Sequence, residues 1–432
     1  MNIPILKVTF VFLSLGAAST SSVLAQSAEQ LRNPSVSYLM QSNGLSQQEA
    51  QLRIDLQDDV IAMSERLNTE NDPNYAGIHI QHEPVFKIIV RFADKSDRKS
   101  FLSQLDPKIR RFVQLKNVPK SKQNTDSDLN QIAAAAASAN ISFIGGLNLE
   151  TERYSIIVLD QTAVDSFRRV LPAQFKNDVD ITIGLVPKIQ AVPTGVQTGD
   201  SLRGGQTVYK DTAAGLECSW SYAVSYLSGT VTKKGILTAG HCAETLYHKI
   251  GARYVTLSGP VIERNTRQAA AGTSAGKYDY QIMDTTGIAT SYTIEYQDKN
   301  GIPEFPATGT LNVVRVTAFN NQLAGMVVCK SGAVTGVTCG KIVDGNALWK
   351  DPSAVGIATT GWIKVSHTNQ FDISSGGDSG AAWFLYPGTA TDINAVGIHT
   401  AGDGVGPNSI AIYMPIDYID DHITSVNTLK KP

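Results

Sequence analysis

The sequence divides into an α+β first half and an all-β second half, and three observations set that division. All four cysteines (Cys218, Cys242, Cys329, Cys339) and all four tryptophans (Trp220, Trp349, Trp362, Trp383) lie beyond residue 200. Of the 36 glycines, eight precede residue 200 and 28 follow it. Glycines spread among short β-branched runs read as a sandwich or barrel with tight turns. The third is the stretch Ala191-Val-Pro-Thr-Gly-Val-Gln-Thr-Gly-Asp200, whose linker composition puts the boundary near 190–205.

Size and charge bound the rest. A chain of 432 residues exceeds one small core, so two or three domains are expected. Thirty-seven basic residues stand against 39 acidic ones, so no polybasic face is implied and nucleic acid is not an expected partner.

The amino terminus has the layout of a secretory signal. Lys7 supplies positive charge, Val8 to Ala18 an apolar run too short to span a bilayer, and Val23-Leu24-Ala25 a small-residue cleavage site. Residues 1–25 are therefore expected to be removed from a secreted product, extracellular or periplasmic in transit. No later stretch is apolar enough to span, so no membrane association is expected after removal. In that oxidising setting the cysteines should pair, with three connectivities open.

The first half begins with a helix signal. Ser46-Gln-Gln-Glu49 has capping-box spacing, and Leu52, Leu56, Met63 and Leu67 follow at roughly helical spacing. Two strand-then-helix units come next. Phe86–Phe92 leads to a helix carrying Ser100, Phe101 and Leu102; Tyr154–Leu159 leads to one carrying Ser166 and Phe167. This weak repeat is separated by the polar stretch 117–131 and the Ala133–Ala137 run. His79 and His82 point to opposite faces of a strand, which speaks against a metal site. The segment carries no catalytic constellation and reads as a folding and inhibition partner.

The chemistry lies in the second half. Gly376-Gly-Asp-Ser-Gly380 offers a serine on a tight turn, with backbone N–H groups free to face an oxyanion. Leu237-Thr-Ala-Gly-His-Cys242 offers an imidazole to take the serine proton, beside a cysteine staple. Tyr278-Asp-Tyr-Gln-Ile282 offers a carboxylate at a strand start, suited to fixing the imidazole tautomer. Each motif alone is weak. Their joint order, His, Asp, Ser, is the one used by the chymotrypsin fold.

With these motifs in place, the chain resembles the secreted bacterial chymotrypsin-like serine proteases of the α-lytic protease and streptogrisin type. The resemblance covers most of 201–432. Leu202–Tyr209 looks like the mature amino terminus, Gly215–Val224 like a first core strand, and Val328–Gly340 like a disulfide hairpin. More loosely, Tyr75–Val90 looks like a pro-region.

The resemblance implies a signal at 1–25, a pro-region over 26–200 and a trypsin-like protease over 201–432, built as a double six-stranded antiparallel β-barrel. It makes His241 the general base, Asp279 its orienter and Ser379 the nucleophile, with the N–H groups of Gly377 and Ser379 as oxyanion hole. It pairs Cys218 with Cys242 and Cys329 with Cys339. Thr400 to Gly402 would line the substrate edge, and His399 with the hydroxyls of Ser374 and Thr400 would receive a glutamate side chain.

Two departures stand out. The usual arginine beside Asp378 is Lys330 here, and a third disulfide common in the family is absent. No metal or organic cofactor is implied. The expected partners are peptide and protein substrates and the chain's own pro-region, around a monomer. A silent protease-fold binding protein or adhesin is the rival, opposed by the intact His241, Asp279 and Ser379. A metal site from Cys218, Cys242, His241 and His248 ranks lower, since it would consume the base.

Overall fold

The computed structural model describes residues 33–189 and 201–430, apart from 97, 213–214, 265–277, 298, 300–307, 353–358, 369–371, 388–390, 404–405, 407–408 and 420–425. The signal stretch and the 191–200 linker lie outside the described residues. The fold is mostly β-sheet with a few helices.

The first half opens with α1 (Pro34–Asn43), capped by Asn33 and closed by left-handed Gly44. α2 (Gln47–Glu70) starts where the capping signal predicts, with the Ser46 hydroxyl accepting from the Glu49 N–H at 3.3 Å. β1 (Tyr75–Gln81) pairs antiparallel with β2 (Lys87–Phe92). The chain then passes through α3 (Lys99–Ser103) and α4 (Pro107–Arg110) to β3 (Val113–Asn117), parallel to β2.

The same plan recurs further on. β4 (Phe143–Asn148) pairs antiparallel with β5 (Arg153–Val158), and β6 (Val179–Ile183) returns through α6 (Gln161–Val170) to lie parallel to β5. The weak sequence repeat is thus a repeated topology. Between the copies the structure differs from the expected separators. α5 (Lys122–Ser138) takes up most of the polar stretch and all of the alanine run. Ser121 caps it, and Leu129, Ile132, Ala133 and Ala136 bury one helical face against Phe143 and Tyr154.

The second half forms two sheets. One runs β23 (Asn427–Thr428), β10 (Ala223–Ser228), β11 (Val231–Thr238), β14 (Tyr280–Asp284), β13 (Arg253–Arg264), β12 (Leu246–Ile250), β8 (Thr207–Tyr209), β9 (Leu216–Ser219). In the other, six strands pair antiparallel in a closed ring: β17 (Val327–Gly332), β18 (Gly336–Lys350), β19 (Thr359–Ser366), β22 (Ile410–Pro415), β21 (Asp392–Gly402) and β20 (Ala382–Leu385). Outside the ring, β7 (Leu202–Gly204) pairs parallel with β15 (Thr290–Gln297), and β16 (Thr308–Val316) parallel with β21, departing from an all-antiparallel plan. These strands carry the chain between the two sheets. The segment Gly215–Val224, expected as one strand, is split into β9 and β10 by a bend at Trp220–Tyr222.

The halves share structure. The far end of β18 pairs with β4, Leu348 opposite Gly145, so β4, β5 and β6 extend the ring's sheet. Val36 and Leu39 of α1 are buried in one cluster with Val327, Cys329 and Cys339. Burying such side chains contributes roughly 1.5–3 kcal/mol each. Among the described residues no helix is long and apolar enough to cross a membrane.

Candidate active site

The site lies between the two sheets, and its three central residues arrive on separate elements. β11 delivers His241 just past its end. β14 pairs with β11, Thr238 opposite Gln281 and Leu237 opposite Ile282, which sets Asp279 beside the His241 loop. Ser379 sits on the turn before β20. The imidazole Nδ1 lies 2.8 Å from Asp279 Oδ2, and Nε2 lies 2.8 Å from Ser379 Oγ. The other Asp279 oxygen accepts from the His241 backbone N–H at 3.0 Å, so one carboxylate fixes both ring and main chain.

Asp279 is fully buried between Tyr278 and Tyr280. With Nδ1–H donating to that carboxylate, the Nε2 lone pair faces the serine hydroxyl. A hydroxyl beside an imidazole lone pair is the arrangement for base-assisted nucleophilic attack.

Two further residues, without an expected role in the sequence, position this group. Gln281, two residues after Asp279 and so on the same strand face, donates through Nε2 to the carbonyls of Ala239 (3.0 Å) and Ala243 (3.3 Å), clamping the His241 loop. Ser219 clamps the Ser379 turn. Its N–H donates to the Ser379 carbonyl at 2.7 Å, its hydroxyl donates to the Gly377 carbonyl at 2.8 Å, and it accepts from the Ala333 N–H. Glycine is required at 380, where φ is +87° and an added Cβ would meet Ser219 O and Thr238 Oγ1 at 2.3 Å.

The backbone of this turn is selectively satisfied. Asp378 N–H donates to Ser375, Gly380 N–H to His399 and Ala381 N–H to Asp378. Among the described residues the N–H groups of Gly377 and Ser379 donate to nothing. Two unpaired amides flanking a serine hydroxyl form a ready site for developing negative charge.

Behind the turn, Asp378 is fully buried and saturated. Lys330 Nζ donates at 3.0 Å, the Thr335 hydroxyl at 2.6 Å, and the N–H groups of Val334, Thr335 and Ser375 at 2.9, 3.2 and 3.0 Å. Burial alone would push the carboxyl up, but Lys330 and Thr335 outweigh it and hold it below its ordinary value. Thr335 also accepts from Lys330 at 2.6 Å, so a hydroxyl supplies contacts that a lysine, lacking the guanidinium fork, does not make alone.

The sulfurs pair as Cys218–Cys242 and Cys329–Cys339. Cys218, His241 and Cys242 cluster closely, but the disulfide leaves that set no thiolate for a metal. His82 lies past the end of β1 and contacts the Gly325 carbonyl at 2.8 Å, bridging the halves.

The residues expected to form a specificity pocket are all buried near the site: Ser374, His399 and Thr400. Among the described residues the hydroxyls of Ser374 and Thr400 have no hydrogen-bond partner. A Cβ at Gly402 would lie 2.1 Å from Ser374 Oγ, so glycine there leaves room beside that hydroxyl. The imidazole of His399 is hydrogen-bonded to the Trp383 indole rather than to either hydroxyl. In a chain lacking a third disulfide, the walls are tied by Ile373 N–H to Ser409 Oγ (3.1 Å) and Gly406 N–H to Asp372 Oδ1 (2.5 Å).

At the pocket edge, Lys188 of the first half exchanges two backbone hydrogen bonds with Gly402, at 3.2 and 3.3 Å, in antiparallel sense.

No family model and no curated protein matches this sequence. Solved structures do. A glutamic-acid-specific serine protease, described as using a histidine triad in substrate binding, is 22% identical at a TM-score of 0.37, covering 53% of this chain and 100% of that one. Thermobifida fusca protease A and a Cellulomonas bogoriensis chymotrypsin are each 21% identical at 0.36, covering 54% of this chain and all of theirs.

Proposed function

We propose that the chain is the secreted precursor of a serine endopeptidase with His241, Asp279 and Ser379 as its catalytic residues and a preference for glutamate before the scissile bond. The observation that carries this reading is the pair of 2.8 Å contacts from one imidazole, to Asp279 and to Ser379. In the mechanism, Ser379 Oγ attacks the peptide carbonyl while its proton passes to His241 Nε2. The N–H groups of Gly377 and Ser379 take the oxyanion. The leaving amine collects the proton from Nε2, and water then hydrolyses the acyl-enzyme by the same base. Asp279 orients the ring and stabilises the imidazolium. The two sheets of the second half would serve as the two barrels of a trypsin-like domain.

Residues 26–200 act in this reading as pro-region, both folding partner and inhibitor, on a monomer. Lys188 supports the inhibitory part, because its backbone occupies the Gly402 edge where a substrate would add as a strand. The pocket preference is supported by His399 and the unpartnered hydroxyls of Ser374 and Thr400.

A fluorophosphonate probe tests the chemistry directly. It should modify the processed product of the full chain at Ser379, and the His241→Ala variant should resist it. Folded, processed protein that takes up no probe and cuts no peptide would sink the enzyme reading in favour of a silent binding protein.

A further inference from the structure

His399 is anchored by a residue that no motif singled out. Its backbone is pinned to the Ser379 turn, donating to the Ala381 carbonyl at 2.9 Å and accepting from the Gly380 N–H at 2.8 Å. Its Nδ1 receives the Trp383 indole N–H at 3.3 Å. An indole nitrogen donates and never accepts, so this Nδ1 is the lone-pair nitrogen.

The neutral ring then carries its proton on Nε2. A second proton, on Nδ1, would set two N–H groups against each other. Trp383 is not free to yield. It is fully buried and stacked on Tyr413 at 5.1 Å; Tyr413 donates to Gln322 at 2.7 Å, and Gln322 donates to the carbonyls of Thr317 and Val396. The charged and titratable groups facing His399 are Lys330 on β17, His241 beyond β11 and Asp378 on the Ser379 turn. Burial, with Lys330 and His241 adding to it and Asp378 opposing, pushes the imidazole down to about 3.

We propose that Trp383 is a specificity-determining residue. By donating to Nδ1 it holds His399 neutral with Nε2–H as the only donor, so the pocket recognises a hydrogen-bond acceptor rather than a negative charge. Glutamine should then be taken before the scissile bond as well as glutamate, its carbonyl on His399 and its amide on the unpartnered hydroxyls of Ser374 and Thr400. This rests on reading His399 as the receptor of that side chain.

The test uses active enzyme made from the full chain, wild type and Trp383→Phe, on peptides matched except for Gln, Glu, Leu or Phe before the cut. The quantity read is the Glu-to-Gln ratio of kcat/KM from pH 5.5 to 8.5, in which effects common to both substrates cancel. The wild-type ratio is expected within about tenfold of unity and flat with pH, the margin between a neutral and a charge-assisted bond. In Trp383→Phe, Nδ1 is free to protonate, and the ratio should rise toward the acid end of that pH range, with burial and Lys330 keeping the rise below the ordinary histidine value of about 6.5.

A wild-type ratio above about a hundredfold that titrates near neutrality would overturn the lock, as would a flat ratio in the variant. Cleavage after Leu or Phe alone overturns the pocket reading beneath it. Should Trp383→Phe fail to fold, nitrogen NMR of histidine-labelled full-length Ser379→Ala protein decides, with His399→Gln as assignment control. A ring unprotonated at Nδ1 down to pH 5 supports the proposal, and titration above that pH contradicts it.

Discussion

Two carboxylates on the second half, Asp378 and Asp344, live under opposite conditions. Asp378, behind the Ser379 turn, receives five donors, one of them the buried Lys330 ammonium, and is held below its ordinary value. Asp344, on β18 at the seam with the first half, accepts only the Asn346 N–H at 2.8 Å among its described hydrogen bonds. Its carboxylate lies against Gly146 of β4, where an added Cβ would come within 1.5 Å. Burial pushes it up to about 7, with Asn346 and Lys364 opposing and Asp126 adding to the rise. The adjoining cavity, about 560 Å³, is lined by His79, Glu83 and Lys364 as well. A saturated ion pair belongs to a core that stays closed. A carboxylate short of donors marks a contact that costs free energy to keep closed.

The largest effects should come from the saturated region. His241→Ala should lower kcat/KM on a peptide substrate by roughly 10⁶-fold with folding intact, because the base acts with Ser379 as a unit. Retention of more than about a hundredth of the activity would break the assignment.

Next, Asp378→Ala should destabilise the folded chain by about 3–5 kcal/mol in denaturant unfolding, since it strands Lys330 in the interior. Adding Lys330→Met should recover much of that loss if the pair is the cause.

The seam should respond to pH instead. With its pKa raised from 3.8 to about 7, Asp344 contributes fully to joining the halves below about pH 4, and that contribution is lost as pH rises through 7. His82, pushed down from 6.5 to about 4 by burial against its bond to Gly325, acts oppositely. Its contribution holds above about 6.5 and is lost as pH falls through 4. In full-length Ser379→Ala protein, Asp344→Asn should therefore raise the Tm most at pH 8.5 and clearly less at pH 5.5, where only part of the contribution has been lost. Equal shifts at both would remove the distinction between the two carboxylates. Smallest, Thr335→Val should cost about 1–2 kcal/mol, one hydroxyl bond to Asp378.

Short motifs carried His241, Asp279 and Ser379, which the structure brings together, because the proposed roles need particular side chains in particular turns. Ser46 marked a helix start for a similar local reason. What stayed hidden is non-local. Gly145 meets Leu348 across nearly half the chain's length, and no nearby residue signals that pairing. Ser219 and Gln281 are ordinary polar residues until the β11–β14 register and the meeting of the sheets aim them. The Ala133–Ala137 run read as a separator because alanine announces no amphipathic face, although it propagates a helix readily. In the sequence Trp383 stands out only as one of four tryptophans in the second half; it is buried, and its indole proton acquires meaning only from the His399 ring beside it.

The most direct measurement expresses the full chain and its Ser379→Ala variant side by side, following intact mass and cleavage of a mixed peptide library. The wild type should be trimmed to a product beginning near residue 200 that cuts peptides, while the variant remains full length and inert. A variant that is trimmed and active, or a folded wild type that neither processes itself nor cuts peptides after an added protease removes the first half, would contradict the assignment of Ser379.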